Sequence, residues 1–234
     1  MYINNFNQNE VIESTGLTKS YTPEPQLQLY YYYFYCIIFF GLWMYEFLIL
    51  ENIIQKKKVS KTLVSFTHCI LSIVLSYQFL VGNIQKDLEY CISTAYFIYD
   101  GILLLRYEKG LMRNGYLLHH ILSIFFLYEF FNPIYDVWYI ILLYMILEIS
   151  NIFLHIVYIL YQYKISYKVI QYFEKIQFWI YFPCRIIFIP ICMIMICRNG
   201  WEWSGIIGTS LIYLMGVYWS WRLYLKITKS LKKD

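Results

Sequence analysis

The stretch VWYIILLYMILEISNIFLHIVYILY, Val137 to Tyr161, runs for twenty-five residues with one carboxylate, Glu148, and no lysine or arginine. At 1.5 Å per residue it is long enough to cross a bilayer as one helix. Its polar residues are not scattered. Tyr144, Glu148, Asn151, His155 and Tyr158 follow steps of four, three, four and three, which at 100° per residue confines them to an arc of about 80°. A membrane helix with one polar stripe turns that stripe toward protein or water, because an ionisable group facing lipid costs several kcal/mol.

Working outward, similar apolar runs recur at 29–50, 62–81, 90–106, 116–131, 176–197 and 205–225. They make seven crossings with this one. The composition agrees, with 60% hydrophobic residues, 22% aromatic and 15% charged. A soluble core could not hide so much apolar surface behind so thin a polar coat. Only helices satisfy every backbone group within one segment in lipid, so the expected class is an all-α polytopic membrane protein.

The basic residues test the count. Lys56, Lys57, Lys58 and Lys61 follow the first run, Arg106, Lys109 and Arg113 the third, and Lys164, Lys168 and Lys175 the fifth. Arg222, Lys226, Lys229, Lys232 and Lys233 close the last. That places fifteen on one side against Lys19, Lys86 and Arg198 on the other, with Arg185 inside a run. The positive-inside rule then sets the N-terminus outside and the C-terminus in the cytoplasm or matrix. Tyr30 to Tyr35, Trp138, Trp201 and Trp203 fall at the outer interface. The net charge of +4 is therefore membrane-flanking charge, and no nucleic-acid partner is expected.

The remaining polar residues inside runs are Ser65, His68, Ser72 and Ser76 in the second, Ser93, Tyr96 and Asp100 in the third, and His119, His120 and Ser123 in the fourth. Counting rises, His68, Asp100, His119, His120 and His155 all lie roughly 5–10 Å from the basic side. This common depth predicts a polar cavity opening toward the basic face, with Glu148 and Asn151 on its wall. Arg185 needs an acidic partner, and depth selects Glu148, with Asp100 as competitor, as a structural ion pair. Pro183 and Pro190 predict a bent sixth helix. The six cysteines sit in apolar runs with no C-x-x-C pair and are packing residues. No metal set, cofactor fingerprint or nucleophile motif is present.

Several short pieces, in order, resemble a known family. They are S-F-T-H at Ser65 to His68, Y-F-I-Y-D at Tyr96 to Asp100, H-H-I-L-S at His119 to Ser123, L-E-I-S-N at Leu147 to Asn151, N-G-W-E-W from Asn199, and Y-W-S-W-R ending at Arg222. They resemble the TLC domain, shared by ceramide synthases, the translocating-chain-associating membrane protein and several lipid-homeostasis proteins. The resemblance covers roughly 57–230 and implies that runs two to seven form a six-helix TLC-type barrel. On this reading 1–28 is a polar N-terminal tail, 29–56 an additional transmembrane helix with a basic loop, and 231–234 a basic C-terminal tail.

Ceramide synthases carry an H-D-x-S-D-x-x-L-E pattern whose acidic residues accompany catalysis. Aligned on Leu147 and Glu148, this chain has Ile140, Ile141 and Tyr144 where that His, Asp and second Asp stand. The missing acids argue against acyl transfer and for a non-synthase branch that binds a lipid or acyl chain in its barrel and serves membrane lipid homeostasis. The alternatives are an accessory subunit of a larger membrane complex, touching other subunits through the first helix and the N-terminal tail, and a ceramide synthase-like acyltransferase. The subunit reading predicts a barrel plugged by side chains. The tail is neither a secretory signal nor a transit peptide, which leaves the endoplasmic reticulum and the mitochondrial inner membrane open.

Overall fold

In the computed structural model of the chain, residues 25–83, 86–130, 137–198 and 203–230 are described. The helices are α1 (Pro25–Ile54), α2 (Lys57–Leu80), α3 (Lys86–Tyr107), α4 (Gly110–Phe130), α5 (Val137–Ile149) and α6 (Ile152–Gln162). They continue with α7 (Tyr167–Phe182), a π-helical turn (Pro183–Phe188), α8 (Ile189–Arg198) and α9 (Trp203–Ser230). No strand occurs among the described residues. Five segments are long and apolar enough to cross a membrane, Tyr30–Ile54, Lys57–Leu80, Asp87–Tyr107, Ile140–Gln162 and Tyr167–Met195. With α4 and α9, of 21 and 28 residues, they account for the seven apolar runs, and the chain is an all-α polytopic membrane protein.

The helices overrun the apolar stretches that announce them. α1 starts at Pro25, four residues before Leu29, because proline fits the first helical turn, where its missing N–H is no loss. α7 starts at Tyr167, so Lys168 and Lys175 belong to the helix and not to the preceding loop. The 1–24 part of the N-terminal tail and the tail at 231–234 lie outside the described residues.

α2 to α9 close into a ring. α2 packs on α3, α3 on α4, α4 on α9, α9 on α7, and α7 on α6, while α5 and α6 both return to α2. α1 stands outside the ring against α2 and α3. It docks through one buried aromatic edge, where Trp43 donates its Nε1–H to the Ile92 carbonyl at 3.2 Å and Phe47 is buried beside it. Lipid gives no hydrophobic push between helices, so close approach of small and hydroxyl side chains does the packing. The buried face of α2 accordingly intersperses Ser60, Thr62, Ser65, Ser72 and Ser76 with Val59, Val64, His68, Cys69 and Leu75. Ser60, Thr62 and Ser65 each donate to the carbonyl four residues back, which keeps the hydroxyls satisfied.

The basic ends of the helices meet at one end of the ring. Lys56 lies over the Tyr163 ring, Lys57 over Tyr107 and Lys226 over Tyr161. Short turns make this possible: α3 passes to α4 through Glu108 and Lys109, and Gly110 takes φ +80°, a left-handed conformation cheap only for glycine. The opposite half of the ring is filled by Phe126, Leu127, Ile140, Ile141, Leu143 and Ile189, all buried in one apolar cluster.

Two crossings depart from a regular α-helix. Val137 to Gln162 is broken at Ser150 and Asn151, which form a turn. Asn151 donates its backbone N–H to Glu148 O, three residues back and not four. That leaves the Leu147 carbonyl free for other donors. The sixth crossing does not simply bend at its prolines. It widens into the π turn that begins at Pro183, a device that inserts one residue into a helical turn and is frequent at functional sites.

Candidate lipid cavity

Inside the basic half of the ring is a cavity of about 920 Å3. All seven polar candidates line it. His68 enters from α2, Asp100 from α3, and His119 and His120 from α4. Glu148, Asn151 and His155 come from α5, the break and α6. Lys58, Lys61, Arg222 and Lys226 ring its mouth, and Leu104, Leu154, Ile212 and Met215 supply apolar wall. A volume near the upper end of ordinary ligand pockets, apolar walls and a few convergent polar groups are the usual attributes of a small-molecule site.

The strongest polar contact in it joins two helices. His120 Nε2 lies 2.7 Å from Asp100 Oδ2, and Lys61 Nζ is 3.5 Å from Asp100 Oδ1. Asp100 is thus shared between an imidazole on α4 and an ammonium on α2. His119 stands beside its neighbour at 5.6 Å between ring centroids. His68 stacks flat on Tyr96 at 3.7 Å and continues into a buried chain of hydroxyls. Ser72 Oγ and Ser93 Oγ both lie 3.2 Å from its Nε2. Tyr144 donates to Ser93 at 2.9 Å, and Ser93 donates to Glu89 Oε1 at 3.2 Å. His155 packs edge-on to Phe66.

Arg185 forms the floor of the cavity and is 4% exposed. Its Nε donates to Ser150 Oγ at 2.8 Å, and its Nη2 donates to Leu147 O at 3.1 Å and to Asn151 Oδ1 at 3.0 Å. The direct ion pair with Glu148 suggested by depth is not formed, since no carboxylate lies within 4.0 Å of the guanidinium among the described residues. The physical reason is the helix break. It turns out a carbonyl, a hydroxyl and an amide together, and Asn151 interposes itself, donating Nδ2–H to Glu148 Oε2 at 3.4 Å. Gly216 on α9 makes room for the arginine stem, because a Cβ there would sit 3.3 Å from Arg185 Cβ. Gly216→Leu should therefore lower stability by about 1–3 kcal/mol through overpacking, read as a fall in the unfolding midpoint in detergent; an unchanged midpoint would mean the stem can move aside.

Three contributors escaped the sequence reading. Ser150, inside the L-E-I-S-N piece, is an arginine acceptor. Lys61 reaches inward to Asp100 and is not only a flanking charge. Glu174 is 2% exposed and accepts from Tyr161 OH and Lys226 Nζ, both at 2.6 Å, tying α6, α7 and α9 at the mouth. The signal for Glu174 is the spacing by three of Gln171, Glu174 and Gln177, all buried, but the first two fall before the apolar run begins at 176.

A six-helix ring with one added helix and a polar cavity in its basic half makes a membrane barrel with a chamber at its basic end. The family model of the TLC domain matches residues 58–225. The chain belongs to the TLC-domain family, with α1 outside the matched region. No curated protein and no solved structure gives a significant match to the chain.

Proposed function

We propose that this TLC-domain protein binds a lipid or acyl chain in its barrel, without a reaction of its own, and serves membrane lipid homeostasis. The observation that carries the proposal is the 920 Å3 cavity, polar at the floor, basic at the mouth and open, not plugged as a bare scaffold would be. Ile140 and Ile141, at positions where synthases carry a His and an Asp, are each 1% exposed and belong to the apolar core. They bring no proton-transfer group to the cavity. The unsubstituted chain, purified in mild detergent, should retain lipid detectable by native mass spectrometry. Met215→Trp, which fills part of the wall with an indole, should reduce that lipid severalfold. Equal retention by both proteins would place the lipid outside the barrel and overturn the proposal.

The Asp100–His120 contact favours a second reading, because an imidazole held by a carboxylate is the arrangement of a general base. Lys61 on the same carboxylate competes for its charge, and the other carboxylate near His120, Glu148, is held by Asn151. Incubated with acyl-CoA and a long-chain base, the purified protein should form no N-acyl product. Robust product formation that vanishes in His120→Ala would establish the acyltransferase instead.

A further inference from the structure

The floor of the cavity carries two opposite charges that are not joined. Arg185 spends Nε and Nη2 on Ser150, Leu147 and Asn151, and its Nη1 hydrogens have no protein acceptor among the described residues. Glu148 spends Oε2 on Asn151, the Cys69 thiol beside it gives its hydrogen to the Glu148 backbone carbonyl at 3.0 Å, and Oε1 has no N–H or O–H donor among the described residues. Both residues are more than nine-tenths buried, and both line the cavity. Asn151 holds them apart, its Oδ1 toward the guanidinium and its Nδ2 toward the carboxylate. Buried charges at this depth ordinarily pair with each other. Here each keeps one hydrogen-bonding atom for something else.

We infer that the floor is a receptor for a zwitterionic group, an oxyanion against Arg185 Nη1 and a primary ammonium against Glu148 Oε1. A purely anionic group would meet the Glu148 carboxylate, and a purely cationic one would meet Arg185. An apolar chain end would leave both atoms desolvated and unpaired. A quaternary ammonium has no N–H for Glu148 to accept, so the primary amine is the better complement. His119 lines the same recess as Arg185 and Glu148 and adds a nitrogen to the oxyanion side. This ligand chemistry rests on the lipid-binding reading for its source, a phosphoethanolamine headgroup, although a soluble phosphate-and-amine zwitterion would present the same atoms.

The test is competitive binding to the full chain in mild detergent, followed by native mass spectrometry. The probes are phosphatidylethanolamine, phosphatidylglycerol with the same acyl chains, and soluble O-phosphoethanolamine. The unsubstituted protein should prefer phosphatidylethanolamine over phosphatidylglycerol by about tenfold, the worth of one charge-assisted hydrogen bond. Glu148→Gln, which keeps the shape and removes the charge, should erase that ratio without weakening phosphatidylglycerol. A merely destabilised fold would lower both lipids together. Phosphatidylglycerol held as well as phosphatidylethanolamine by the unsubstituted chain, or a ratio unmoved by Glu148→Gln, overturns the zwitterion site and leaves lipid binding standing. Binding of O-phosphoethanolamine with neither lipid retained keeps the site and overturns the lipid source. Retention of no probe overturns both. The ratio in the unsubstituted chain decides by itself should the variant not fold.

Discussion

Replacing Asp100 by leucine is expected to cost about 3–5 kcal/mol, the range for removing one partner of a buried charge pair. The carboxylate is 5% exposed and serves two partners, His120 at 2.7 Å and Lys61 at 3.5 Å. Its loss leaves an ammonium and an imidazole facing each other across the wall of the cavity with nothing between them. It also removes the polar seam joining α2, α3 and α4. The effect should appear as a large drop in the detergent unfolding midpoint, with Asp100→Asn, which keeps an acceptor for His120, falling much less. A leucine variant within about 1 kcal/mol of the parent would show that water in the cavity already satisfies both groups.

Arg185→Met should be the next most damaging change, by about 2–4 kcal/mol. The methionine fills much of the same volume, but Asn151 Oδ1 and one lone pair of the Leu147 carbonyl then lack a donor, and Glu148 loses its neighbouring positive charge. Ser150 keeps a bond to Leu147 O at 2.5 Å, which limits the damage. Arg185→Lys should recover only part of the loss, because one ammonium cannot reach three acceptors laid out for a planar fork. Unfolding in detergent reads both, and equal stability of the arginine and methionine proteins would remove Arg185 from the account of why the helix breaks at Ser150.

Much of this was readable in one dimension, for a physical reason. Apolar run length sets the number of helices, and the stripe Tyr144, Glu148, Asn151, His155 and Tyr158 points where it does because a helix that avoids lipid has few other choices. The break at Ser150 was not readable. The three-and-four spacing continues through it unchanged, and what stabilises it is a guanidinium thirty-five residues away along the chain. Depth brought Arg185 to the right level but could not tell a carboxylate from a carbonyl, a hydroxyl and an amide at that level. The Asp100–His120 contact was equally silent, since both residues read as polar points of similar depth and only the ring order shows that α3 and α4 are neighbours there. Glu174 is hidden in the sequence because apolarity does not mark where its helix starts: α7 begins nine residues before its apolar run.

The order of helices around the ring also bears on how the molecule is made. A chain synthesised from its N-terminus delivers helices in sequence, yet α4 is flanked in the ring by α9 and not by α5. Until the last helix has entered the bilayer, the wall between α4 and α7 is missing and the chamber faces the plane of the membrane. The chamber therefore takes its final outline only when the last stave is in place.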